Sequence, residues 1–396
     1  MRNGAGPKRV AVIGATGSVG GSVLDICDRF PGRFRVMALA ARSNSEKLLN
    51  LAKRFGAKYS CLDSATPETA GAFREAGAVL ECGVDALSSI AESGDVDHVV
   101  FASSGTDAIT ALQRAIAAGK EVSLANKESI VVAGPWVMPL IRRRDQIRPL
   151  DSEHSAIWQC LRGEPAKSPT RITLTASGGP FLDFTREQMA RITPEDALGH
   201  PVWSMGRKIT VDSATLMNKG IECIEAMQLF GLSHDRVNAV IHPGSYIHGM
   251  VEFCDATLKF LAYKPDMRIP AACALGWPER LPLSDAGIFT VPRRGDWSLE
   301  FREPDTARFP CLSLAIEAAR LGGAYPPLLI GADEAAVCAF LGGRIPFLSI
   351  SNIIESALER YSGPNPENVE DAVALIETGR VNAERLCEKM SKTNGR

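Results

Sequence analysis

Val10-Ala11-Val12-Ile13-Gly14-Ala15-Thr16-Gly17-Ser18-Val19-Gly20-Gly21 is the stretch on which the reading of this 396-residue chain turns. An apolar run of strand type, Arg9 to Ile13, meets a string of glycines, and a helix-like segment from Gly21 to Arg29 follows. Glycine permits a tight turn and lets the backbone approach a pyrophosphate held at a helix N-terminus. The string Gly14 to Gly20 is therefore a candidate dinucleotide-binding turn. A glycine string alone is also consistent with an ordinary strand-to-helix connection, and it is the flanking strand and helix that favour the nucleotide.

Outward from this turn, short β-rich runs alternate with helical stretches up to about residue 150. Candidate strands are Arg9 to Ile13, Phe34 to Ala40, His98 to Ala102, Glu121 to Ala125 and Ile147 to Leu150. That alternation predicts an α/β chain whose N-terminal part is a Rossmann-like parallel sheet with crossover helices. Ligands of such sheets sit at the carboxyl ends of the strands. At the end of the second strand stands Ala41-Arg42-Ser43-Asn44, with no acid for a ribose hydroxyl and a cation suited to a 2′-phosphate. NADPH is favoured over NADH, the rival being that Arg42 is a solvated surface charge.

The composition is that of an ordinary globular protein, 45% hydrophobic and 23% charged, long enough for two or three domains. A formal charge of -2 and the lack of a long Lys/Arg run argue against nucleic-acid or polybasic membrane partners and leave small molecules. Ten scattered cysteines form no C-x-x-C pair or zinc spacing and read as free thiols. With no signal, transit or membrane-spanning stretch expected, the cytoplasm is the expected compartment. The punctuation divides the chain into a nucleotide domain at 1–150 and a central α/β catalytic domain at 151–280 with a lid loop at 177–207. A connection at 281–310 and a C-terminal helical domain at 311–396 follow.

Two further constellations carry chemistry. Asp151-Ser152-Glu153-His154 follows a strand and precedes the helical run Ser155 to Leu161. Two carboxylates around a hydroxyl suit Mg²⁺ or Mn²⁺, and equally suit the first turn of a helix. Between Asp212 and Glu225 a polar face runs through an apolar helix, with Asn218, Lys219 and Glu222 at three- and four-residue spacing. Hydroxyl, amide and ammonium groups suit a phosphate, and Glu222 suits a metal shared with Asp151 and Glu153; a solvated salt bridge is the rival reading. Ser177-Gly178-Gly179-Pro180, after a strand from Thr170 to Ala176, can bring backbone N–H groups to an anion. Gly199-His200-Pro201-Val202-Trp203-Ser204-Met205-Gly206 then has the glycine hinges and apolar cover of a lid.

Taken together the chain resembles the 1-deoxy-D-xylulose 5-phosphate reductoisomerase family over nearly its whole length. The resemblance runs through 14–20 (GATGSVG), 124–129 (LANKES), 151–156 (DSEHSA), 174–181 (LTASGGPF), 199–220 (GHPVWSMGRKITVDSATLMNKG) and 265–270 (PDMRIP). It implies metal ligation by Asp151, Glu153 and Glu222, and phosphate binding by Ser177, Ser213, Asn218 and Lys219. Ser152, Lys127 and His200 would face substrate, and Trp203 would close over it. Thr16, Gly17, Ser18 and Val19 would cradle the cofactor phosphates, Asn126 and Glu128 would contribute at another strand end, and Met205, Gly206 and Met267 would border the nicotinamide. The implied activity is NADPH- and metal-dependent rearrangement and reduction of a phosphorylated keto-sugar by a homodimer. The rivals are another NADP-dependent semialdehyde or sugar-phosphate dehydrogenase and a non-catalytic dinucleotide sensor. Three departures stand out: Arg42-Ser43, Val202, and Gly244 between Pro243 and Ser245. They bear on cofactor affinity, loop dynamics and the dimer surface.

Overall fold

A computed structural model describes residues 6–199, 206–285, 288 and 298–394. The chain forms two compact units, one of residues 1–129, 137–158 and 266–290, the other of 130–136, 159–265 and 291–396. The first unit is built on β1 (Lys8–Ile13), β2 (Phe34–Ala40), β3 (Tyr59–Leu62), β4 (Val79–Cys82), β5 (His98–Phe101), β6 (Glu121–Leu124) and β7 (Ile147–Pro149). They lie in the order β4-β3-β2-β1-β5-β6-β7, every pairing parallel. The order reverses between β1 and β5, which creates a crevice at their carboxyl ends.

The five expected strands are all present. Two more, β3 and β4, escape the sequence reading because they are four residues long and carry Ser60, Cys61, Glu81 and Cys82 instead of a continuous apolar run. β4 is also a largely exposed edge strand, so burial imposes no apolar pattern on it. Behind the sheet, Val10, Val12, Val23, Ile26, Leu39, Leu48 and Phe73 form one core with the helix Arg268–Gly276, which contributes Ala271, Ala274 and Leu275.

At the amino edge of this sheet an ionic cluster ties that helix down. Glu121 accepts from Lys8 Nζ at 2.8 Å and lies 3.1 Å from Arg148 Nη1. The two cations also donate to the helix's terminal carbonyls, Lys8 to Leu275 at 2.9 Å and Arg148 to Ala274 at 2.8 Å, where the dipole favours positive charge. His98 is wholly buried between Glu121 and Ser123, and burial pushes it down to about 4, so it stays neutral.

The second unit carries a four-stranded sheet, β11-β10-β8-β9, from β8 (Pro169–Ala176), β9 (Val237–Ile241), β10 (Ile247–Phe253) and β11 (Leu258–Ala262). The β8/β9 pair is parallel and the other two are antiparallel. Helices Arg207–Ala214 and Met217–Phe230 follow one another, and four more, Pro310–Leu321, Tyr325–Leu341, Ser349–Glu359 and Val369–Asn394, make the helical end. All ten cysteines are free, and burial pushes the Cys27 and Cys223 thiols up to about 12. No described helix is long and apolar enough to cross a membrane.

Candidate active site

In the first unit the glycine turn is held by backbone contacts. Gly14 and Ala15 both donate to Ala40 O at 2.9 Å, and Gly17 donates to Gly14 O at 3.0 Å. Gly14 has φ +87° and lies so close to β5 that a Cβ would fall 2.5 Å from the Ala102 carbonyl. A Cβ on Gly20 would fall 2.2 Å from Gly14 O. The turn is thus pressed into the β1/β5 switch point by two contacts that only glycine allows. The helix begins at Ser18, three residues before the expected Gly21, because Ser18 and Val19 already take up its first turn. Gly17 at the N-cap supplies no side-chain cap, and first-turn N–H groups lack intrahelical partners, so an anion suits this end.

Beside the turn, Arg42, Ser43 and Asn44 are exposed just beyond β2. Asn44 caps the helix Ser45–Phe55 by accepting from Lys47 N at 3.0 Å. Lys47 sends its ammonium 2.8 Å to Thr16 O, placing a second cation at the glycine turn that the sequence reading did not single out. Beyond β6, Asn126 is fully buried with its amide engaged on both sides. Its Nδ2 donates to Ser103 O and Gly105 O at 2.9 Å, and its Oδ1 accepts from Ser129 N at 2.8 Å and Ser129 Oγ at 2.5 Å. Glu128 accepts from Gly105 N at 3.0 Å. Both side chains therefore shape the loop after β5.

The acidic string lies at the start of the helix Ser152–Cys160, three residues earlier than expected, so the metal-ligand and first-turn readings of Glu153 describe the same position. Asp151 accepts from Ser152 N at 3.0 Å and is ion-paired with Lys127, while the buried Ser152 hydroxyl donates to Glu153. His154 is wholly buried, its Nδ1 3.4 Å from Asp151. Met267, half-buried, stands at the N-cap of Arg268–Gly276.

In the second unit, Glu222 is 2% exposed on helix Met217–Phe230 and is held by Lys219, itself buried, and by Asn218 Nδ2 at 2.5 Å. The predicted three- and four-residue spacing has produced a buried polar face, not a solvated salt bridge. Ser213 ends the preceding helix, and the Ser177 loop lies against it, since a Cβ on Gly179 would fall 2.8 Å from Ser213 O. Ser177 Oγ accepts from Gly179 N at 3.3 Å. The Ser177 loop thus meets Ser213, while Asn218, Lys219 and Glu222 share one face of the next helix. The stretch between Ser177 and Gly199 contains two short helices, Arg186–Met189 and Pro194–Ala197, each opened by a capping box. His200, Val202, Trp203 and Met205 lie outside the described residues; Gly206 is the N-cap of Arg207–Ala214.

The sequence reading assigned no role to Lys208, Asp212 or Asp333, which form an ionic cluster in this unit, the two carboxylates buried and the lysine partly exposed. The available signal was Asp333 itself, a carboxylate inside the apolar helix Tyr325–Leu341.

Comparison with known proteins places this arrangement. Three family models match: 1-deoxy-D-xylulose 5-phosphate reductoisomerase over 10–134, its C-terminal domain over 147–230, and the DXP reductoisomerase C-terminal domain over 263–381. The 1-deoxy-D-xylulose 5-phosphate reductoisomerase of Heliobacterium modesticaldum is 46% identical over 363 residues, covering 89% of this chain and 91% of its own. The chain belongs to this reductoisomerase family. The Rippkaea orientalis reductoisomerase is 42% identical, with 98% of each chain covered. A crystal structure of a DOX-P reductoisomerase in complex with NADPH, fosmidomycin and magnesium matches with a TM-score of 0.88 at 35% identity, covering 98% of this chain and 99% of that one. The Zymomonas mobilis reductoisomerase in complex with NADPH matches at 0.84 and 38%, covering 96% and 99%. These neighbours share the architecture of a Rossmann-like N-terminal domain, a central α/β domain and a helical C-terminal domain.

Proposed function

We infer that this chain catalyses the NADPH-dependent rearrangement and reduction of 1-deoxy-D-xylulose 5-phosphate to 2-C-methyl-D-erythritol 4-phosphate, a step of non-mevalonate isoprenoid precursor synthesis. Family membership supports the reaction, and the observation that carries it is the matched pair of carboxylate–lysine contacts, Asp151 with Lys127 and Glu222 with Lys219. Solved relatives hold NADPH and magnesium. Three carboxylates form a hard-oxygen donor set, so Asp151, Glu153 and Glu222 fit Mg²⁺ or Mn²⁺. When bound, the ion supplies Lewis-acid polarisation of substrate oxygens and NADPH supplies the hydride.

The remaining work falls to the chain. Lys127 and Lys219 contact the carboxylates of Asp151 and Glu222. With the ion held by the three acids, Lys127 would face the sugar oxygens and Lys219 would hold the phosphate with Ser177, Ser213 and Asn218. Ser152 orients Glu153 and faces substrate. Binding energy gathered at the phosphate, remote from the reacting carbons, holds the substrate in register. Gly14, Thr16, Gly17, Ser18, Val19 and Gly20 receive the cofactor pyrophosphate, and Arg42, Ser43 and Asn44 the 2′-phosphate side. Asn126 and Glu128 serve that site by fixing the 103–105 loop. We assign the lid to 177–207, with His200, Trp203, Met205 and Gly206 excluding water from substrate and nicotinamide, and Met267 bordering the ring. The domain scheme 1–150, 151–280 and 311–396, joined at 281–310, is the functional division we adopt, and the cytoplasm is the assigned compartment.

We also assign a homodimer. β11 is the outer strand of its sheet, and Leu258 and Phe260 on it are 55% and 48% exposed, an apolar edge that a second copy would cover.

The deciding experiment is steady-state NADPH oxidation by the purified protein. Turnover requires both the phosphosugar and Mg²⁺ or Mn²⁺. Oxidation of NADPH with a semialdehyde in a metal-free buffer would mean a different dehydrogenase, and no turnover with tight NADPH binding would mean a sensor.

A further inference from the structure

In the second unit, Lys208 in the first turn of helix Arg207–Ala214 sends Nζ 2.7 Å to Asp212 Oδ2, one turn further on. It also donates to Asp333 Oδ2 on helix Tyr325–Leu341, which packs against it. The Asp212 and Asp333 side chains are 5% and 0% exposed, and among the described residues Oδ1 of each lacks a hydrogen-bond partner. One ammonium thus faces two buried carboxylates. Surplus negative charge in a low-dielectric interior is unfavourable, and the cluster relieves it by keeping a proton. Burial, and next the charge of Asp333, raises Asp212 to about 8 against the pull of Lys208. Among the described residues, Cys311 on helix Pro310–Leu321 also titrates against the cluster; burial, and next the charge of Asp333, pushes its thiol up, so it stays neutral.

A half-satisfied ionic cluster is a poor source of stability, and its best-attested use is to fix a geometry. Here that geometry is a corner between two helices. Thr215 Oγ1 donates to Asp212 O at 3.2 Å and accepts from Met217 N at 3.3 Å. Leu216 between them is left-handed, with φ 62°, a strained state for a branched side chain. Ser213 lies on one side of the corner, and Asn218, Lys219 and Glu222 on the other.

We propose that Asp333 is a positioning residue for substrate: by clamping Lys208 and Asp212 it holds the 212–217 corner, and through it the phosphate-binding side chains Ser213, Asn218 and Lys219. The proposal rests on the phosphate assignment made above, and the experiment separates the two. The full-length enzyme, with NADPH and Mg²⁺, is assayed as wild type, Asp333→Ala, Asp333→Asn and Ser213→Ala. For each, kcat and the KM values of both substrates are measured from about pH 6 to 9, and Tm from about pH 4 to 9.

Asp333→Ala raises the phosphosugar KM about tenfold, corresponding to about 1.4 kcal/mol, and leaves kcat and the NADPH KM within about twofold. Asp333→Asn keeps an acceptor for Lys208 and the charge count of the protonated cluster, so it restores KM. A carboxyl whose native pKa is raised binds a proton that the unfolded chain has released, so wild-type stability falls as pH rises from about 4 to about 8. Asp333→Asn removes that penalty, and its Tm gains on wild type across the same window. A lower Tm for Asp333→Ala with both KM values unchanged would reduce Asp333 to a structural residue and overturn the proposal. So would an Asp333→Asn variant as damaged as Asp333→Ala. If Asp333→Ala does not fold, an Asp333→Asn pH profile identical to wild type overturns it on its own. An unchanged phosphosugar KM in Ser213→Ala is the separate sign that the phosphate assignment has failed.

Discussion

The glycine turn of the first unit and the charged helix face of the second, the two regions proposed for anions, are built by opposite means. At the turn the structure is made by the backbone: Gly14 and Gly20 bring main chain within distances that no side chain tolerates, at a helix start whose N-cap has no side-chain cap. On helix Met217–Phe230 the polar face is built from side chains, with buried Lys219 ion-paired to buried Glu222. Backbone sites are preformed and tolerate changes in the side chains around them. Side-chain sites carry uncompensated charge as soon as one partner is removed. The two regions should therefore fail differently when mutated.

The largest effect is expected on the charged side. Glu222→Gln keeps the shape and removes one ligand charge, and at the same time removes the charge that buried Lys219 contacts on its own helix. We expect kcat/KM to fall about a hundredfold or more, some 3 kcal/mol, with a raised requirement for Mg²⁺. Near-normal turnover at low Mg²⁺ would remove Glu222 from the metal shell.

On the backbone side, Gly20→Ala puts a Cβ 2.2 Å from Gly14 O, and the turn must move. Overpacking of this kind costs about 1–3 kcal/mol, read here as a lower Tm and weaker NADPH binding. Gly21→Ala is the control, because its Cβ would meet nothing within 4 Å, and alanine suits a helix better than glycine. Equal losses in the two variants would show that steric approach to the turn is not what Gly20 provides.

The same contrast explains how much could be read in the sequence. The glycine turn was legible because the requirement for glycine is local, and the alternation of strands and helices gave five of seven strands. The acids at Asp151 and Glu153 were legible as a string and as candidates for a helix's first turn, where Glu153 lies, but the sequence does not choose between that reading and a metal ligand, since first-turn acids and metal ligands look alike in one dimension. Asn126 is expected at the cofactor from the family resemblance, and the structure adds four hydrogen bonds by which its side chain braces the loop after β5. The Lys208–Asp212–Asp333 cluster was illegible, because Asp333 lies 121 residues from Asp212 and only the tertiary fold joins them.

The smallest effect tests whether the nucleotide end also has a side-chain component. Arg42 is exposed just past β2, next to Asn44, which caps helix Ser45–Phe55, and near Lys47, whose ammonium rests on Thr16 O. An acid at this position hydrogen-bonds a ribose hydroxyl and repels a 2′-phosphate. Arg42→Asp should therefore lower the preference for NADPH over NADH about tenfold, about 1.4 kcal/mol, with kcat on the phosphosugar little changed. Exposed substitutions away from packed features fall within about 0.5 kcal/mol in stability, so Tm should hold. Arg42→Ala separates the two contributions: an intermediate ratio means that Arg42 attracts the 2′-phosphate, whereas a wild-type ratio means that the Asp variant acts by repulsion alone. If the Asp variant also leaves the ratio unchanged, Arg42 is a solvated surface charge. The nucleotide end would then be a backbone site throughout, with Lys47 the cation left to account for the 2′-phosphate.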